Sequence, residues 1–554
     1  MNRCKITTWI IYFFFVFGCF SANAQIQNKN FEIGKNVEIF VDVYKTVNAN
    51  YVDDIDPGDF MKTGIDELLK SLDPYTVYIP EAEIEDFRIA TTGQYGGIGA
   101  LIHLDGEDIV ITDPYKDSPA KRAGIKAGDK IISINGKTAK GLDTEEIAQL
   151  MKGQAGGAVN LIIERYNEPN PLSFSIVREV INIESVDYYN RLDQDIAYIK
   201  LDGFTQNAST NIKNAFIKMR NEGKIKGLIL DLRGNGGGLL GEAVDLVNLF
   251  VKSGVEVVSM KGQIASSNQT FRTRNQPLDA DLPVVVLVDE QSASSSEIVG
   301  GALQDLDRAV IMGQRTFGKG LVQNVLPLKY NSQVKITTAK YYIPSGRCIQ
   351  AIDYGHKNEY GKWDKVPDSL ITKFQTAGGR PVYDGAGIEP DVITEPYTLN
   401  DITIALVGQH ILFNFATYFY YNTPAIPAID KFEITDAIWN DFIEWVKQHH
   451  NDYKTVDQFL LTPLQEYYKE EKNSSPKVES ALKELQNELS NKKINAIEEN
   501  KQEIKRILKM EILSRYYNYE DYIKFSVEFD PEIAKAKELL LNEKEYKAIL
   551  KPAK

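Results

Sequence analysis

PVVVLVDEQSASSSEIVGGALQDLDRAVIMGQRTFGKGLVQ, residues Pro283 to Gln323, joins an unbroken β-branched run, a cluster of serines and a lysine set between two glycines. Val284 to Val288 has the length and branching of a strand buried on both faces, and Asp289 to Gln291 ends it. Glu297 to Leu306 then carries apolar residues at helical spacing, and Ala309 to Met312 is strand-like again. Four serines, Ser292, Ser294, Ser295 and Ser296, therefore sit at a strand-to-helix junction. A side chain there stands above the sheet. The first turn of the following helix offers unpaired backbone N–H groups, which is what an oxyanion needs.

The default reading of these serines is structural. Ser294 and Glu297 spell a capping box, S-x-x-E, and caps far outnumber nucleophiles. Gly318-Lys319-Gly320 shifts the balance, because glycines let a backbone approach a site closely and a solvated lysine does not require them. Gly313 to Lys319 also fits the first seven positions of a phosphate-binding loop. That reading fails at the eighth position, where Gly320 replaces the Ser or Thr that holds magnesium and a β-favouring run follows instead of a helix.

The 554-residue chain is long enough for three or four domains. Its net charge of −14 offers no basic surface, so nucleic acid is not an expected partner. Met1 to Ala24 has Arg3 and Lys5, an apolar run from Trp9 to Phe20, and Ala22-Asn23-Ala24, which together predict a signal peptide and export to the periplasm. Val16-Phe17-Gly18-Cys19 loosely resembles a lipoprotein cleavage box, so membrane association or a lipid anchor is the competing expectation. Cys4 and Cys19 fall within this leader. The mature chain then keeps only Cys348, which excludes an intramolecular disulfide.

Residues 25–90 follow a helical pattern, with Val37, Phe40, Val41, Tyr44 and Val47 forming a stripe from a run that reads as helix from Phe31 to Phe87 except at Asp54 to Gly58. Residues 91–180 alternate like short strands. Gly97-Ile98-Gly99-Ala100, followed by SPAKRAGIKAGDKIISING from Ser118 to Gly136, resembles a bacterial PDZ domain. In that reading Gly97, Ile98, Gly99 and Ala100 bind a peptide carboxylate through an anion nest beside a strand edge. Residues 181–398 contain strand-like Ile196 to Leu201 and Gly227 to Leu232 around a helical segment, then the turn Asp231-Leu-Arg-Gly-Asn-Gly-Gly-Gly238. Beyond residue 399 helix formers and dense charge predict a helical extension.

None of the histidines (His103, His356, His410, His449, His450) neighbours the serine cluster in sequence; distant residues can converge, so a histidine base stays open, and Lys319 is the other candidate base. At its ordinary pKa of about 10.4 a lysine is protonated, so a basic role demands burial that lowers this value. Gln323 lies four residues on, on the same face of an extended segment, where it can aim the amine.

Gln291 to Leu303, Thr316 to Gln323 and Asp231 to Gly238 together resemble serine peptidase family S41, the carboxyl-terminal processing peptidases, over about Asn36 to Val392. The resemblance implies an α+β multidomain protein: a crotonase-like α/β peptidase core, an inserted PDZ domain, a helical N-terminal region and a helical C-terminal extension. It implies a catalytic Ser294, Lys319 and Gln323, with the backbone N–H groups of Ser295 and Gly237 as oxyanion donors. Ser295 stands where alanine is common in the family, and Gly236 replaces a frequent proline. No metal or cofactor is expected. Expected partners are protein substrates with free, apolar C-termini; a homodimer through the helical ends and an adaptor lipoprotein are compatible with the same reading. The alternative is a catalytically inactive PDZ scaffold, disfavoured because all three side chains are retained.

Overall fold

The computed structural model describes residues 29–193, 195–449, 453–470 and 475–551; the expected leader, Met1 to Ala24, lies outside these. The described chain divides into two units. One comprises the segment up to Glu81 with Gln323–Thr337, and the other comprises Ala82–Val322 with Thr338 onwards.

In the first unit a helix over residues 29–50 is followed by a second, Pro57–Lys70. Asp56 starts the second by accepting from the N–H groups of Gly58 and Asp59 at 2.8 and 2.9 Å, with Pro57 at the first helical position. The helical reading to Phe87 is interrupted more than expected. Asp73 bonds the N–H groups of Tyr75 and Thr76, both at 2.8 Å, and this turn launches the strand Val77–Ile79, antiparallel to Gln333–Lys335. Helix resumes as a 3-10 turn, Glu81–Glu83, that leads into the α-helix Ile84–Thr92. The stripe foreseen at Val37, Phe40 and Val41 is exposed.

The second unit is built on a six-stranded sheet in the order Val186–Leu192, Ile196–Leu201, Gly227–Asp231, Val284–Val288, Val310–Gly313, Val392–Ile393. The first pair is antiparallel and the others are parallel. Every residue of Val284–Val288 is buried, and its period of two explains why the run is unbroken. Val284, Val286 and Val288 pack in one cluster with Phe216, Leu246 and Ile298, from the helices Ala208–Asn221, Leu240–Asn248 and Ser295–Asp305. Val285 and Leu287 face the other way, onto Ile533, Ala536, Leu540 and Tyr546 of the last two helices, Pro531–Leu541 and Glu543–Ile549. These two helices thus pack against that face of the sheet.

The PDZ-like segment is a separate antiparallel sheet, Ala100–Asp105, Asp108–Pro114, Lys130–Ile134, Ala158–Glu164 and Leu172–Val177 in order, with Lys137–Thr138 beside the third strand. Strict in-out alternation in Ala158–Glu164 buries Val159, Leu161 and Ile163 against Ile147 of the helix Thr144–Met151. Its entry and exit strands, Gln94–Gly97 and Glu179–Asn182, pair with each other. That ribbon makes the segment an insertion. Most of the described tail forms a helical core around Phe415, Trp439, Phe442, Leu508 and Ile512.

Candidate active site

Ser294 occupies the position between the buried strand Val284–Val288 and the helix Ser295–Asp305, with φ +55° and ψ −112°. Positive φ is costly for a side chain bearing Cβ, on the order of 1–3 kcal/mol, so something must hold it. Glu297, fully buried, does so. Its Oε2 accepts from the Ser294 N–H at 2.8 Å and from the Lys319 N–H at 2.9 Å. Its Oε1 accepts from the Gly318 N–H at 2.7 Å and the Thr316 hydroxyl at 2.6 Å. Burial pushes the Glu297 carboxyl up, to about 7, against four donors that pull it down.

Tyr341 makes a second bridge between the same two residues. Its buried hydroxyl lies 2.7 Å from the Lys319 carbonyl oxygen and 3.2 Å from that of Ser294, and burial raises its pKa well above the ordinary value. Serine and lysine, distant in sequence, thereby have their main chains tied at both N–H and C=O. Lys319 itself is half-buried. Gly318, at φ +86°, is required: a Cβ there would stand 2.4 Å from Cβ of Ala351.

The other three serines are structural. Ser292 donates its hydroxyl to the Leu232 carbonyl at 2.8 Å, Ser295 to that of Gly238 at 3.0 Å, and Ser296 to that of Asn235 at 2.8 Å. The loop after the strand Gly227–Asp231 is thus fastened beneath the junction, and the Ala293 N–H adds a bond to the Asn235 carbonyl at 3.0 Å. The Ser294 hydroxyl donates to none of these carbonyls.

Of the two expected oxyanion donors, Ser295 N–H opens its helix and, among the described residues, has no acceptor. Gly237 differs from expectation. Its N–H is donated to Asn235 Oδ1 at 2.8 Å, because the Asn side chain folds back over its own turn, so in this conformation it is not a free donor. Its α-carbon nevertheless borders the site, since a Cβ there would lie 2.8 Å from Cβ of Ser294. Gln323 belongs to the first unit, where its amide donates to Thr337 Oγ1 at 3.1 Å.

In the inserted domain Gly97, Ile98 and Gly99 are buried and Ala100 partly so. The Ile98 carbonyl accepts from Ala120 N–H at 2.8 Å and the Gly99 carbonyl from Tyr115 N–H at 3.0 Å. Peptide planarity turns the N–H groups of Gly99 and Ala100 away from those bonds. Ala100–Asp105 pairs with Asp108–Pro114 on one side, and among the described residues its other edge carries no strand.

Sequence reasoning overlooked Tyr341, and it saw Glu297 only as a cap. What the sequence offered for Glu297 was its place at the head of the apolar run Ile298 to Leu303, in a helix where every residue proves buried.

Profile comparison matches residues 195–356 to "Peptidase family S41", residues 110–165 to "PDZ domain" and residues 402–540 to "Probable PDZ-protease, C-terminal helical domain". A carboxy-terminal-processing protease of Bartonella bacilliformis is 36% identical over 349 residues, which span 61% of this chain and 80% of that one. A probable CtpA-like serine protease of Staphylococcus aureus is 35% identical over 331 residues, 59% of this chain and 65% of that protein. Among solved structures, a photosystem II D1 C-terminal processing protease is 26% identical, covering 65% of this chain and 93% of its own, at a TM-score of 0.34. With a relative at 36% identity matched over 80% of its length, the chain belongs to the carboxy-terminal-processing serine proteases of peptidase family S41.

Proposed function

We propose that this protein is an exported serine endopeptidase of the Ser-Lys type, which captures the C-terminal tails of proteins on its PDZ domain and cuts near them. What carries the reading is the double bridge: Glu297 and Tyr341 each bond the main chains of both Ser294 and Lys319. A scaffold with no chemistry would have no use for a strained serine locked to a glycine-flanked lysine. Lys319, in its neutral form, takes the Ser294 proton as Oγ attacks the scissile carbonyl. The Ser295 N–H faces the oxyanion that forms. Lys319 then returns the proton to the leaving amine, and water releases the acyl group. Gln323 is kept as the third site residue on the family resemblance alone. The open edge of Ala100–Asp105, with the Gly97–Ala100 turn at its start, supports capture of an extended peptide by its terminal carboxylate. The basic, apolar and A-x-A features of Met1 to Ala24 support export.

The test uses a peptide ending in a free apolar residue and its amidated twin. Wild type should cut the free acid faster by about tenfold or more, since charge-assisted bonds to a carboxylate are lost on amidation. Ser294→Ala and Lys319→Arg should both be inactive, because arginine stays protonated. An active Lys319→Arg enzyme would refute the lysine base; equal cleavage of the twins would refute tail capture.

A further inference from the structure

A buried polar network lies where the C-terminal helices meet the loops of the site, and no step above uses it. Asp530 caps the helix Pro531–Leu541, accepting from the N–H groups of Glu532 and Ile533 at 2.8 and 3.0 Å, and its carboxylate also stands 2.9 Å from Arg233 Nη2. Glu532, 4% exposed, bonds Arg233 Nη1 through Oε2 at 2.6 Å. Through Oε1 it accepts from Gln314 Nε2 at 2.8 Å and from the Thr394 hydroxyl. Arg233 is held from below by Asp231, Nε to Oδ1 at 3.0 Å and Nη2 to Oδ2 at 2.6 Å, and Asp231 in turn accepts from Tyr198 at 2.8 Å.

What matters is where Arg233 and Gln314 sit along the chain. Arg233 opens the glycine turn whose Gly234 N–H bonds Asp289 at 2.9 Å, whose Asn235 carbonyl receives Ala293 and Ser296, and whose Gly237 borders Ser294. Gln314, fixed by its N–H to the Val288 carbonyl at 3.1 Å, opens the segment that ends in Lys319. One carboxylate therefore grips the roots of both loops, one with each oxygen. We infer that Glu532 is a positioning residue of the peptidase: it sets the spacing between the loop beneath Ser294 and the loop bearing Lys319, which makes the C-terminal helical domain part of the catalytic apparatus. This rests on the Ser-Lys reading. A purely structural role would instead show as lost stability, since breaking a buried ion pair leaves an uncompensated charge.

Glu532→Gln keeps the size and one acceptor while removing the charge, so it separates the two roles. In the full-length protein, with melting temperature measured alongside kinetics on the tail peptide, kcat should fall by about tenfold or more while KM holds within about twofold, as expected when reacting groups shift by a fraction of an ångström. Arg233→Lys should lose a similar factor, the double variant should be no worse than either single one, and Glu532→Asp should recover part of the loss. Amide hydrogen exchange in residues 234–238 and 315–320 should quicken in Glu532→Gln. Unchanged kcat in a folded Glu532→Gln protein, or losses that simply multiply in the double variant, would overturn the inference. If wild type cuts no peptide at all, the peptidase reading fails by itself; the exchange measurement still decides, and unaltered exchange in both loops would overturn the positioning role independently.

Discussion

Glu297 places a proton-dependent joint under Ser294 and Lys319. Its carboxyl, lifted from 4.5 to about 7 by burial, has four donors to satisfy, and only the ionised form has acceptor capacity for all of them. The consequences for stability and activity run in opposite directions. For stability, the folded protein keeps this proton between pH 4.5 and about 7 while the unfolded chain has lost it, so the Glu297 contribution is full below 4.5 and drains away as pH rises to 7, by roughly 3 kcal/mol. For activity, ionisation completes the joint, so kcat/KM should climb through about pH 7. Glu297→Gln should abolish that part of the pH dependence of melting temperature and reduce kcat by about tenfold or more; a fully active Glu297→Gln enzyme would show the joint to be dispensable. Tyr341→Phe deletes the second bridge and should cost kcat several-fold, at about 1 kcal/mol for one buried hydrogen bond, with little change in KM. Ser294, Glu297 and Lys319 were all visible in the sequence as a cap and an oddly placed lysine. What could not be read is that Glu297 reaches forward to Thr316, Gly318 and Lys319, because side-chain direction across a packed core is decided by tertiary contacts and not by spacing.

At the scale of elements, legibility followed the reach of the signal. Val284–Val288 was readable because five consecutive apolar, mostly β-branched residues leave few alternatives, and the structure gives it those bounds. The junction helix came out two residues early, starting at Ser295, since polar Ser295 and Ser296 hide a first turn whose hydroxyls bond a distant loop. Val77–Ile79 was missed altogether: three residues give no period, and the partner that makes them a strand, Gln333–Lys335, is far along the chain. The ribbon of Gln94–Gly97 with Glu179–Asn182 was likewise beyond local pattern, because its two strands lie far apart along the chain. The Gly97–Ala100 turn is where element geometry makes a sharp prediction. Gly99 has φ +73°, and an added Cβ would sit 2.6 Å from Cβ of Ser118, which caps the short helix Pro119–Ala123. Gly99→Ala should therefore displace the turn, weakening binding of a free-carboxylate peptide by about tenfold or more in isothermal titration while a tail-independent substrate is still cut. Undiminished binding would detach the turn from carboxylate capture.

At the scale of the whole chain, the inserted domain and the tail carry opposite obligations. The PDZ domain has its own apolar core, and the strands that enter and leave it are paired, so the chain ends left by excising it already lie side by side. The tail has no such independence at its end. Ile533, Ala536, Leu539, Leu540 and Tyr546 are the second layer over Val285, Leu287, Val310 and Met312, and Tyr546 bonds the main chain of Val284 at 3.0 Å. Composition marked this region as helical extension and gave no hint that its last two helices complete the peptidase core, because an amphipathic helix does not announce its partner. A chain stopped before Pro531 should strip one face from a parallel sheet that needs both faces covered. At about 2 kcal/mol or more for each large apolar residue newly exposed, several such residues exceed the net stability of an ordinary domain, about 5–15 kcal/mol. The truncated protein is expected to be insoluble or to lose its cooperative melting transition, whereas a chain with Gln94 to Asn182 replaced by a short glycine-serine linker should retain that transition. Calorimetry on the two deletions decides: a folded, cooperatively melting protein lacking residues 531–554 would mean that the sheet stands without its second layer.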